Sequence, residues 1–179
     1  MSTRSLIRVV TMILALAAYA SSVAQETPTL GRPATPAEIA AWDVSIPPDG
    51  TGLPPGSGTP EQGAVVYAQK CQSCHGEKGA GKPNDQLVGG QGTLTSKNPV
   101  RTIGSYWPYV TTVFDYVRRA MPYTQSHSLT DDEVYAVTAY LLHLNGIIGA
   151  QDTMNAQSLP QVKMPNRDNF IVVYPIKPQ

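Results

Sequence analysis

The chain contains two cysteines, and both fall in one five-residue stretch, Cys71-Gln72-Ser73-Cys74-His75. Two thiols one short turn apart, with an imidazole directly after the second, restrict what the surrounding chain can be. A disulfide between residues three apart closes a tiny loop and stabilises little. A zinc site needs about four ligands, usually a second CxxC or a His pair. The three histidines, His75, His127 and His143, supply no such pair. A redox CxxC expects a βαβ setting, and no such pattern is visible. The stretch fits attachment of a c-type haem instead. Each cysteine would form a thioether with a haem vinyl group, and the short helical spacing leaves His75 to bind iron.

The ends of the chain support that reading. Arg4 and Arg8 precede an apolar run from Val9 to about Ala20, and Ser22-Val23-Ala24 offers small residues before a cleavage point. This is the pattern of a secretory signal peptide. The run is shorter than the about 20 residues that span a bilayer, so residues 1–24 are expected to be removed, leaving no permanent membrane anchor and a periplasmic protein. Their removal takes two basic residues and no acid, leaving 11 basic against 13 acidic residues and a net charge of −2. Such a chain has no electrostatic footprint for nucleic acid.

Residues 25–59 are rich in Pro and Gly and are expected to form an irregular arm with one short helix, capped by Thr35 and started by Pro36. Thr59-Pro60-Glu61-Gln62 carries a capping box and a first-turn proline, which predicts a helix to about Lys70. Gly63, Tyr67 and Cys71 share one face of it and lead into the haem motif. A second helix is predicted from about Pro108 to Ala120, with Val110, Val113, Phe114 and Val117 as its apolar stripe, ended by Met121-Pro122. Leu129 to Val134 reads as a capping box with a hydrophobic staple, opening a last helix that stops at Gly146. Residues 60–149 thus form the expected haem domain and residues 150–179 a C-terminal arm. The domain has one Phe and one Trp, and a module this small rarely supplies enough apolar core alone. A buried porphyrin would remedy that. Gly63 is expected to admit the ring of Tyr140 where the first and last helices cross.

Iron also needs a second strong ligand, and a thioether raises its potential. Met121, Met154 and Met164 are available. Met121 is the expected ligand, because it ends a helix between the haem motif and the last helix; the other two are expected to be packing or surface residues. His127 and His143 are the alternatives, giving bis-histidine ligation. The second ring nitrogen of His75 is expected to bond a backbone carbonyl, from Pro83 or a neighbour in Gly81–Gly90. Leu87 would pack on the haem edge, and Arg101, Tyr106 and Trp107 are candidates to hold the propionates.

With these residues placed, the chain resembles class I cytochromes c, and is most similar to the cytochrome c subunits of periplasmic sulfur-compound dehydrogenases, those of sulfane and sulfite dehydrogenase. "LGRPATPAEIAAWD", "CQSCHG", "GSYWPYVTTVFDYVRRAMP", "LTDDEVYAVTAYLLHLNGII" and "VKMPNRDNF" carry the resemblance. It implies an all-α class I fold around one covalent haem c, with Cys71, Cys74, His75 and Met121 attaching and ligating it. It implies an electron-transfer subunit rather than the catalyst, a molybdenum-cofactor catalytic partner, and a downstream c-type cytochrome as acceptor. A free-standing carrier, or a haem sensor or enzyme with an open iron position, are the alternatives. The tail is expected to dock on the catalytic partner while residues 60–149 fold around haem without it; the alternative is that it packs back on its own module.

Overall fold

Three threonines start three helices. In the computed structural model, which describes residues 30–171, Thr35, Thr59 and Thr130 each accept a bond from the amide three residues on. Glu38, Gln62 and Glu133 return a bond to the capping residue's own N–H. These reciprocal boxes satisfy amides that helix starts leave open. The helices are α1 (Pro36–Trp42), α2 (Pro60–Lys70), the single turn α3 (Gln72–His75), α4 (Val110–Ala120) and α5 (Asp131–Leu144). Ser57–Gly58 (β1) pairs antiparallel with Met154–Asn155 (β2), Gly58 opposite Met154. Residues up to Asp43 form one unit, in which α1 buries none of its residues. Those from Val44 form the second, which holds everything below. Residues 1–24, where the signal peptide is expected, and Val172–Tyr174 of the tail lie outside the described residues.

The approach of α2 to α5 is set by Gly63. A Cβ there would overlap the Ala136 carbonyl and lie 2.7 Å from Tyr140 Cβ, so only glycine admits the other helix at this depth. The expected contact with Tyr140 is made through the base of that side chain. Its ring lies instead on Tyr67, centroids 5.4 Å apart. α5 ends as its sequence requires. Gly146 takes φ 69°, its N–H bonds the His143 carbonyl at 2.9 Å, and the Ile147 N–H bonds that of Leu142 at 3.0 Å. Both bonds belong to a Schellman cap.

α4 buries Val110, Val113 and Phe114, and the Phe114 ring meets Tyr135 of α5 at 4.5 Å. The core does not stop at the predicted helices. Ile46, Met154, Leu159 and Met164 are all buried in the same cluster. The N-terminal arm is also tied by hydrogen bonds. Asp115 accepts the Ile46 N–H at 2.8 Å, and the Thr111 and Tyr135 hydroxyls donate to the carbonyls of Pro48 and Pro54, each at 2.9 Å. Asn166 of the other arm donates to the Tyr106 carbonyl at 2.8 Å. The tail thus packs back on residues 60–149. Their apolar surface is closed by side chains from both arms.

Burial gives the fold an alkaline limit. Desolvation pushes the Tyr67 and Tyr135 phenols up to about 12. In the unfolded chain they ionise near the ordinary value of about 10. Between the two values the native state holds protons that the unfolded state has lost, so stability is full below about pH 10 and falls as pH rises toward about 12. The thermal midpoint, read by circular dichroism, is expected to drop across that window. Tyr135→Phe should flatten the drop, and an equally steep drop in that variant would contradict the assignment.

Candidate functional site

α2 delivers the two thiols and the imidazole. The Cys71 N–H bonds the Tyr67 carbonyl at 2.9 Å, closing α2, and the Cys71 carbonyl then accepts from Cys74 at 3.1 Å and His75 at 2.9 Å, opening α3. Cys71, Cys74 and His75 therefore leave one turn, with Cys71 half-buried and Cys74 exposed, both as free thiols. The chain then folds back on this turn. The carbonyls of Cys74 and His75 accept from the N–H groups of Asn84 and Gly81, each at 2.8 Å. A Cβ on Gly76 would strike the Gly81 carbonyl, and this residue sits at φ 75°, so the return is close enough to require glycine. Tyr67, fully buried, donates its hydroxyl to the Gly76 carbonyl at 2.9 Å and pins the end of the turn to α2.

His75 Nδ1 lies 2.8 Å from the Asp85 carbonyl. A carbonyl only accepts, so Nδ1 carries a proton, and in the neutral ring the lone pair is then on Nε2, the arrangement a metal-binding imidazole needs. The carbonyl is that of Asp85, not Pro83. Gly81 at φ 90° and Lys82 at φ 76° turn the segment so that Asp85 faces the ring. Leu87 is held beside this loop, its N–H bonded to the Gly79 carbonyl at 2.9 Å and its carbonyl accepting from Ile103 N–H at 3.2 Å. It is half-buried against the core, as are Val88, Trp107 and Val117.

Met121 stands at the C-cap of α4, half-buried, its N–H on the Val117 carbonyl at 3.0 Å and its backbone already extended. Met154 and Met164 are core residues. His127 is exposed in the loop after Met121, and His143 is half-buried with Nδ1 3.4 Å from the Ile148 carbonyl. Of the three candidate propionate donors, Arg101 lies against Tyr106, its guanidinium 5.5 Å from the ring centre, and Trp107 packs on Tyr116 at 5.9 Å. Tyr106 also meets Phe170 edge-on.

Sequence reasoning overlooked Asn145. Its amide donates to the carbonyls of Leu141 at 2.8 Å and Leu87 at 3.3 Å and accepts the Gly89 N–H at 3.0 Å. One side chain thus fastens the loop beside the haem motif to the end of α5. The dipeptide Asn145-Gly146 signals a helix stop and says nothing of where the asparagine reaches.

The donor set fits a covalent haem. Burial, then the neighbouring Cys74, pushes the Cys71 thiol up to about 11, the reverse of the lowered value of a redox-active cysteine. Among the described residues no group of three His, Cys, Asp or Glu could hold a metal ion alone. What remains is two unpaired thiols, an imidazole with an open Nε2, and a half-buried apolar border. Among the described residues no helix is long and apolar enough to cross a membrane.

Comparison with known proteins gives the same picture. Residues 58–141 match the family described as cytochrome c oxidase, cbb3-type, subunit III. A chain in the crystal structure of the sulfane dehydrogenase SoxCD from Paracoccus pantotrophus is 45% identical, with a TM-score of 0.75, over 81% of this chain and 72% of that one. A thiosulfate dehydrogenase of Psychrobacter arcticus (strain DSM 17307 / VKM B-2377 / 273-4) is 28% identical over 91 residues. That match takes in 47% of this chain, which spans only 25% of that relative.

Proposed function

The chain belongs to the cytochrome c family and carries covalently bound haem c, and from this premise we propose that it is the class I, single-haem electron-transfer subunit of a periplasmic sulfur-compound dehydrogenase. The observation that carries the reading is the CQSCH turn with His75 Nδ1 tied to Asp85 and Nε2 left open. Cys71 and Cys74 would hold the haem by thioethers, His75 Nε2 and the Met121 thioether would ligate its iron, and Leu87 would pack against it. When bound, the haem supplies an iron that takes up and releases one electron. The protein's part is to keep both ligands in place in both states. His75 is oriented by Asp85, the turn by Tyr67, and the neighbouring loop by Asn145.

The partner is a molybdenum-cofactor catalytic subunit that oxidises the sulfur compound, and the acceptor is another c-type cytochrome. The likeness to a SoxCD chain supports the first, and the leader-like residues 1–24 support a periplasmic setting. The segment 60–149 binds the haem, flanked by arms 25–59 and 150–179.

Copurification of the native protein tests the assembly. A molybdenum protein should come with it, and isolation alone at full yield would favour a free carrier. Met121→Ala tests the iron site. Covalent haem should remain while the methionine–iron charge-transfer band of the ferric spectrum disappears. The potential should fall by on the order of 0.2 V, a modest part of the about 0.8 V range that axial ligands set. An unchanged band would move the ligand to another residue, and rapid carbon monoxide binding by the unmutated protein would favour a sensor.

A further inference from the structure

We propose that Arg118 and Asp131 form a clamp across the mouth of the Met121 loop, and that this pair sets how often the methionine leaves the iron. The proposal rests on Met121 as axial ligand. Residues 121–130 join the end of α4 to the start of α5. Tyr123 to Ser128 are all exposed, Tyr123 at 85%, and His127 takes φ 60°. Among the described backbone hydrogen bonds one lies inside the loop, from Gln125 N–H to the Pro122 carbonyl at 2.9 Å. Leu129, half-buried against the core, holds the far end. The loop has little internal structure, so its shape depends on its two mouths.

Among the described residues one ion pair joins those mouths. Arg118 Nε donates to Asp131 Oδ1 at 2.8 Å, with the two side chains 18% and 33% exposed. Arg118 Nη1 also reaches the Val44 carbonyl at 3.5 Å. Arg118 lies in the last turn of α4 and Asp131 in the first turn of α5, so each charge also sits at the helix end whose dipole favours it. The pair ties the final turn of α4 to the start of α5, and Met121 follows that turn directly. The adjacent Arg119 makes an internal comparison. It bonds Asp115, four residues back on its own helix, which stiffens α4 without crossing the loop.

Imidazole reads the clamp, because it reaches ferric iron only after methionine has left, and its apparent affinity scales with the open fraction. The experiment is a titration of the full-length ferric holoprotein, followed by loss of the methionine band. Arg118→Gln and Asp131→Asn should each tighten apparent imidazole binding about tenfold, as loss of a charge-assisted bond implies. The double variant should go little further than either single one, since both remove the same bond. Arg118→Lys should fall between, and Arg119→Gln should match wild type, all with unchanged haem content and far-ultraviolet circular dichroism. Wild-type affinity in both Arg118→Gln and Asp131→Asn would overturn the clamp. So would an equal gain in Arg119→Gln, which would trace the effect to charge near the haem. If Arg118→Gln yields no holoprotein, Asp131→Asn gives the same reading. Met121→Ala separates the two ideas. If it opens the iron while the clamp variants do not, the clamp alone falls; if it keeps the band, the ligand assignment falls and takes the clamp with it.

Discussion

A chain ending at Gly149 should lose the native fold. It would remove Met154, Leu159 and Met164, which are 5%, 0% and 1% exposed in the shared core, together with the β1–β2 pairing. Truncating one buried Leu or Met to Ala costs about 2–5 kcal/mol. Three such losses amount to roughly 6 kcal/mol or more, comparable with the whole stability of about 5–15 kcal/mol that a domain has. The truncated form should be recovered poorly and show no cooperative unfolding, with its near-ultraviolet circular dichroism collapsed. Leu159→Ala in the full chain is the graded version. It should fold but lose about 3 kcal/mol of unfolding free energy in urea. A truncated chain with a full-length midpoint would mean that the arm only covers a core complete without it.

Gly63→Ala carries the second large effect, and two terms of opposite sign decide it. In an ordinary helix interior alanine is favoured over glycine by about 1 kcal/mol. Here the new methyl group would overlap the Ala136 carbonyl. That oxygen is backbone, held in α5 by the ladder of i to i+4 bonds, so it cannot rotate away as a side chain would. Forcing extra volume into a packed interior costs about 1–3 kcal/mol and sometimes more. At a backbone contact the cost belongs at the upper end, so Gly63→Ala should destabilise by about 2 kcal/mol net and Gly63→Val by clearly more. Urea unfolding of the holoprotein reads both. A gain in stability for the alanine variant would show that α2 can shift along α5 at little cost.

What the sequence disclosed follows from how local each signal is. The boxes at Thr35, Thr59 and Thr130 involve residues three apart, and all three helices start where those residues place them. The stop at Gly146 is local in the same way. α4 starts at Val110 rather than Pro108, where no capping side chain marks the boundary. The arms were not legible, because Ile46, Met154, Leu159 and Met164 are spaced among prolines and turns with no period of 2 or 3.6 to betray a buried face. The continuous apolar run that opens at Phe170 is the plainer signal in the tail, yet Ile171 is 90% exposed. At the site, the cysteines and His75 were readable as a motif. The carbonyl partner was readable only to within Gly81–Gly90, since the place of Asp85 depends on the left-handed turn at Gly81 and Lys82. In the sequence Arg118 and Asp131 are ordinary helix-end charges 13 residues apart, and only the fold shows them meeting.

The closing of the core from the far end also imposes a schedule. A polypeptide grows from its N-terminus, at about 5–20 residues per second, and the residues that seal this interior are among the last to arrive. The CQSCH turn is made early and its lid late, with residues 76–164 in between. At that speed the delay is roughly 4–20 s. Throughout it the chain lacks the side chains that complete its core, so the interior cannot set before nearly the whole chain has been made.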